Sequence, residues 1–259
     1  MNNLKMKTKN QNTLKPSILS LALLALASSG CSTNGKFVEN PSAYLETALV
    51  SDYVTRHGAR VKGIVRQDLV AANVNQNLSC FVWQNYSFKE DAVNDRDFGV
   101  DYSIPLTEDK NLSASFGLRY FDYPSGSFGN YDYGLEGILK YHEPKTKIDS
   151  KLIISQALPH DNSETGIRFC LKAERPFQIY ENKKGKVTAT LTPNFSTSYV
   201  DNYFGFTGWS QSTFGIDLGV TKKFEKFDLS AGLFVNQQFG NLPNIESFTW
   251  SGFKLSVNF

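Results

Sequence analysis

The 259-residue chain is poor in cysteine (3), histidine (3), methionine (2) and tryptophan (3). Cys31, Cys80 and Cys170 lie in unrelated segments with no metal-type spacing, and no P-loop or Rossmann fingerprint is present. No metal and no cofactor is therefore expected. In an exported protein Cys80 and Cys170 are able to pair, but two isolated thiols in alternating segments read more simply as small apolar residues. Past residue 30 no stretch approaches the roughly 20 consecutive apolar residues of a spanning helix. Helical spacing holds nowhere after that point either, which removes helical bundles and coiled coils.

Residues 1–30 lack acidic and aromatic side chains altogether and carry Lys5, Lys7, Lys9 and Lys15 before an apolar run from Ile18 to Ala27. That is the layout of a secretory signal. Two cleavage readings fit. Ala25-Leu26-Ala27 satisfies the small-x-small rule, whereas Ser28-Ser29-Gly30-Cys31 resembles a lipobox that ends at a lipidated Cys31 but carries Ser28 where leucine is usual. Residues 31–43 read as a linker and 44–259 as the folded domain. The formal charge of +2 belongs to the leader: 27 basic residues less four leave 23 against 25 acidic ones, a net of −2. No basic footprint for nucleic acid survives.

Aromatics make up 14% of the chain, yet its mean hydropathy is only −0.32. Period-two alternation reconciles the two figures. Phe214, Ile216, Leu218 and Val220 alternate with Gly215, Asp217, Gly219 and Thr221, and Phe253, Leu255, Val257 and Phe259 with Gly252, Lys254, Ser256 and Asn258. The same holds for Leu112 to Tyr120 and Ile167 to Ala173. Leu152-Ile153-Ile154 breaks the pattern and leaves its faces unassigned. About twelve strands are expected, over 44–56, 65–75, 78–88, 97–106, 112–122, 131–142, 148–158, 165–179, 187–200, 213–224, 227–239 and 248–259. Short connectors alternate with a generally longer set (57–64, 89–96, 123–130, 159–164, 201–212, 240–247), which is how a membrane β-barrel distributes periplasmic turns and outer loops.

A soluble sandwich also alternates. Three features favour an all-β, transmembrane, antiparallel up-and-down barrel. The polar face is rich in Gly, Ser, Thr and charge. Aromatics sit near strand ends (Tyr53, Trp83, Tyr86, Phe88, Tyr120, Phe121, Tyr141, Tyr199, Tyr203, Trp209, Trp250), where an interfacial girdle would place them. The chain ends on alternating residues and Phe259, the kind of terminus by which the barrel assembly machinery selects bacterial outer-membrane barrels. Lipid and lipopolysaccharide of that membrane are the expected surroundings.

Val50-Ser51-Asp52-Tyr53-Val54-Thr55-Arg56 resembles the opening signature of the TorF family of porins. Phe98 to Pro124, FGVDYSIPLTEDKNLSASFGLRYFDYP, is similar to that family's central hairpin. The motifs cover Ala43 to Pro124. His57 stands where the family continues Arg-Gly, and Gly58 arrives one residue later, which affects the first outer loop rather than the barrel. The resemblance implies a small exported barrel of Gram-negative bacteria, and implies fold and location more directly than transport. Barrels of the MipA/OmpV type match more weakly.

With the apolar face outward, the lumen holds Asp101, Arg119, Glu136, Lys140, Lys151, Arg168, Lys172, Glu174, Asp217, Asp228 and Lys254. Arg119, Lys140, Lys151, Arg168 and Lys172 occupy the fifth to eighth expected strands. Asp101, Asp217 and Asp228 lie on the fourth, tenth and eleventh, so a mainly basic wall stands partly across from acidic groups. Such charges either line an open, selective pore or pair and plug a narrow one. The segment 201–212, DNYFGFTGWSQS, is a candidate constriction, a sugar-stacking surface or an interfacial girdle. His57 and His160, with Asp161 and Ser163 near the latter, fit no barrel lipase spacing, and His142 falls at a short turn. The expectation is a non-enzymatic outer-membrane channel for passive diffusion of small hydrophilic solutes, with a non-conducting structural or adhesive barrel as the alternative and a lipid-modifying barrel enzyme behind both.

Overall fold

The computed structural model describes residues 42–55, 60–124, 131–158, 165–182, 184, 186–203, 206–242 and 245–259. The leader, Cys31, Arg56, His57, Gly58, His160, Asp161 and Ser163 lie outside the described residues.

The described chain forms the strands β1 (Ala43–Val54), β2 (Arg60–Asn73), β3 (Leu78–Ser87), β4 (Ala92–Pro105), β5 (Leu112–Asp122), β6 (Tyr131–Glu143), β7 (Ile148–Leu158), β8 (Gly166–Glu174), β9 (Phe177–Glu181), β10 (Val187–Tyr203), β11 (Phe206–Lys223), β12 (Asp228–Gly240) and β13 (Phe248–Asn258). Each pairs antiparallel with its neighbours, and β1 also pairs with β13, so the sheet closes. Closure satisfies the backbone edges of the ring of staves, the condition for strands in hydrocarbon, while β9 pairs with β10 alone. β8 and β9 together form one stave, giving the twelve-stranded barrel that the alternation predicts.

That stave was expected unbroken over 165–179, but it lapses at Arg175 and Pro176. Pro176 has no N–H to donate. Opposite it on β10, Pro193 accepts from the Arg175 N–H at 3.1 Å. In an antiparallel strand a residue's carbonyl and amide point to the same side. The amide hydrogen that Pro193 lacks would therefore face the same gap, so two prolines open the ladder together.

Alternation sorts the faces as the sequence predicts. Phe116 and Leu118 are each 63% exposed, and Phe214, Ile216, Leu218, Val220, Phe253 and Leu255 are exposed beside them. An apolar exterior of this extent is a lipid-facing surface rather than a soluble one. Leu152 and Ile154 belong to it, whereas Ile153 lines the interior. The exterior is interrupted on β1 to β3. There Asp68 accepts from Thr47 Oγ1 (2.7 Å), Arg66 Nε (2.9 Å) and Gln84 Nε2 (3.2 Å), a polar cluster on the lipid side. Cys80 pairs across from outward Val100 and Cys170 from inward Ser198, so the two thiols sit on opposite faces and are free.

Two expectations need correction. Of the aromatics assigned to a girdle, Tyr53, Trp83, Phe121, Tyr203 and Trp250 turn inward and pack within the barrel, while Tyr86, Phe88, Tyr120, Tyr141, Tyr199 and Trp209 remain outside. Three of the long loops are also shorter than expected. β2 begins at Arg60 and β4 at Ala92, and much of 201–212 continues the β10–β11 hairpin through the pairs Tyr199↔Trp209, Val200↔Gly208 and Tyr203↔Phe206. Aromatic and β-branched residues favour extended pairing there. Asn202 (φ 48°) and Gly208 (φ 125°) absorb the shift in register.

Candidate functional site

A cavity of about 660 Å³ runs through the interior, and a second of about 440 Å³ opens at the rim that carries β1's start and β13's end. Both are lined by Glu46, Glu174, Asp217 and Lys254, so a polar path leads from the middle of the barrel to this terminal rim.

Arg119 is the most heavily engaged charge. Its Nε donates to Glu136 Oε2 at 2.8 Å and its Nη2 to Asp101 Oδ1 at 2.7 Å, while Nη1 donates to the carbonyl of Leu118 at 3.1 Å. Ser155 Oγ donates to the other oxygen of Glu136 at 3.1 Å. Only 3% of the Arg119 side chain is exposed. The register explains the assembly: Asp101, Gly117, Glu136 and Ser155 lie in one row across β4 to β7. A Cβ on Gly117 would stand 2.3 Å from Asp101 Oδ1 and 2.4 Å from Arg119 Nη1, so its absence makes the room. Gly99 does the same for the Phe81 ring, over which the guanidinium lies at 4.9 Å. Neither glycine nor Phe81 was singled out from sequence. The usable signal was glycine on an inward position between two carboxylates.

The remaining cations divide. Lys140, Lys151 and Lys172 stand directly across from one another on β6, β7 and β8. Like charges in register repel; Lys151 has Glu174 at 4.0 Å as partial compensation. Arg168 lies on the same face of β8 as Lys172, opposite Ser155. It is 8% exposed, and its Nε has no hydrogen-bond acceptor among the described residues. On the facing wall Lys254 Nζ lies 3.3 Å from Asp217 Oδ2, and Asn194 Nδ2 donates to Oδ1 of the same carboxylate at 3.4 Å. Asp228 lies at the terminal rim, lining the smaller cavity. All the charged positions assigned to the interior thus share the inward face, but Asp101, Arg119 and Glu136 are one ion-paired unit and Lys140 sits exposed near the mouth.

Toward the far rim apolar side chains pack on the inner face. Ala48, Val50, Tyr53 and Val65 pack with Val61, Trp83, Phe234 and Trp250; Ala157, Val200 and Tyr203 pack with Leu242 of the β12–β13 connection. Tyr53 donates to Asp95, Arg60 Nη2 pairs with Asp52 at 3.0 Å, and Asn85 Nδ2 donates to Asn94 at 2.6 Å. Asp52 and Tyr53 stand in the first-strand motif, but Arg60, Asn85, Asn94 and Asp95 were not singled out in the sequence, because the first strands alternate least cleanly. His142 pairs with Asp149 at 2.8 Å on the terminal rim. Among the described residues no three His, Cys, Asp or Glu side chains converge to hold a metal.

No family model and no curated protein sequence matches this chain. Among solved structures it is similar to the NanC porin, at 12% identity over 83% of this chain and 98% of that one, with a TM-score of 0.50. A KdgM porin in complex with disordered oligogalacturonate gives 9% identity, 84% and 98% coverage and 0.48. An outer membrane channel from Pseudomonas putida F1 gives 8% identity, 88% and 100% coverage and 0.46. At this identity the NanC likeness establishes the shared barrel fold.

Proposed function

We propose that this chain is a bacterial outer-membrane channel for passive passage of small hydrophilic solutes, of the TorF porin type. The observation that carries the reading is the charged cavity that continues to the terminal rim inside a lipid-facing barrel. Such an interior holds water, since charges sequestered without it would be costly. On this reading the terminal rim faces the periplasm and the assembly machinery engages Phe259, which is 51% exposed. Lipid and lipopolysaccharide contact the exterior. Lys140, Lys151, Arg168 and Lys172 on one wall, against Asp217 and Asp228 on the other, set selectivity; the Arg119 unit with Asp101 and Glu136 braces the wall between them.

Liposome swelling with a panel of sugars and amino acids tests the proposal, with correct folding verified by heat-modifiable gel mobility. Swelling rates that fall with solute size are expected. Folded protein that swells no faster than protein-free vesicles would exclude a channel and favour a structural or adhesive barrel, a reading that the apolar packing at the far rim supports.

A further inference from the structure

We infer that Arg168 is the anchor of an oxyanion-binding site within the lumen, one that takes the carboxylate of a small hydroxylated acid; the inference deepens the channel reading above. The interior carboxylates that pair with the other cations are already engaged. Asp101 and Glu136 hold Arg119, Asp217 holds Lys254, and Glu174 lies against Lys151. Arg168 is more than nine-tenths buried, faces the central cavity, and has a buried Nε with no acceptor among the described residues. A guanidinium cannot shed its charge by losing a proton in the way a buried lysine or histidine does. Its unmet donor therefore calls for water or an anion, and its planar fork matches a carboxylate.

Two neighbours narrow the ligand class. Lys172, on the same face of β8, closes the row of lysines from Lys140 and Lys151, which raises the local concentration of anions. Gln211 faces the same cavity from β11 with a buried Oε1 that lacks a donor among the described residues. It pairs with Ser198, which in turn pairs with Cys170, the inward residue after Arg168. That register sets the two Cα atoms on the order of 12 Å apart, with both side chains pointing inward. An unmet donor at one end and an unmet acceptor at the other fit a solute with a carboxylate at one end and hydroxyls along its length.

Calorimetry on the folded barrel in detergent tests this without relying on conduction. The probes are gluconate, inorganic phosphate and, as the uncharged control, sorbitol. Gluconate is expected to bind, sorbitol to give no heat, and R168Q to weaken gluconate at least tenfold; K226Q, at an exposed turn, is expected to change nothing. R168K retains the charge but not the fork and is expected to weaken gluconate several-fold, a readout that survives if R168Q fails to fold. Phosphate binding as tight as gluconate identifies the oxyanion alone as the determinant, and weaker phosphate binding identifies the hydroxy acid. Gluconate affinity within twofold of wild type in both variants, equal binding of sorbitol, or no binding of either anion to folded wild type would overturn the site. A barrel that binds gluconate yet passes no solute keeps the site and removes the channel; one that conducts without binding does the reverse.

Discussion

Replacing Arg119 by methionine preserves much of the side chain's bulk but strips the cation from Asp101 and Glu136. Arg119 is 3% exposed at the side chain, Glu136 8% and Asp101 16%, so both carboxylates are left largely shielded from solvent. Breaking a buried ion pair from one side costs about 3–5 kcal/mol. The adjoining cavity admits water, which places the expected loss at the lower end, about 3 kcal/mol, or roughly 150-fold in the folding equilibrium. Urea titration in lipid vesicles, followed by the heat-modifiable band shift, measures it. The triple variant R119M/D101N/E136Q is expected to regain most of the loss, because it leaves no unpaired charge. A loss under about 1 kcal/mol in R119M, or a triple variant as unstable as the single one, would refute the reasoning, since exposed pairs contribute no more than that.

Three further predictions follow from local geometry. Gly117→Val introduces atoms where Asp101 and Arg119 now meet and is expected to destabilise by about 1–3 kcal/mol in the same titration; an unchanged midpoint would show that the row relaxes freely. Leu242→Ser loosens the packing against Ala157, Val200 and Tyr203 and is expected to raise single-channel conductance, whereas unchanged conductance would show that this cluster does not narrow the path. In the turn after β4, the Thr107 hydroxyl and the Asn111 N–H hold the Asp109 carboxyl below its ordinary range. A depressed folded value stabilises above the ordinary aspartate pKa of about 3.9 and is lost as pH falls through the folded value. Asp109→Ala is therefore expected to lower the unfolding midpoint at neutral pH and to converge with wild type in acid; a constant difference would contradict it.

The barrel itself was legible because a lipid-facing wall imposes period two over its whole length, and segments such as Phe214–Val220 and Phe253–Phe259 write it without interruption. Ile153 defeated the rule because one apolar residue in a wet lumen costs little, so the pattern tolerates it. Strand-end aromatics were ambiguous in kind: Tyr53, Trp83 and Trp250 pack on the inner wall of the barrel, and nothing local separates that role from a girdle. The segment 201–212 carries glycine and polar residues like a loop, yet Tyr203, Phe206 and Trp209 sit in register across the hairpin. The inward charges could be named from alternation alone. Which of them bond to one another could not, because that depends on cross-strand register, and it is register that puts Gly117 between Asp101 and Glu136 and stacks three lysines in a row.

The account rests on the lumen being a conducting path, and planar-bilayer recording of the folded barrel tests this most directly. Discrete current steps are predicted, with a reversal potential in a salt gradient that moves toward cation selectivity when Arg168 and Lys172 are both replaced by glutamine. Folded protein that gives no current steps would contradict the account.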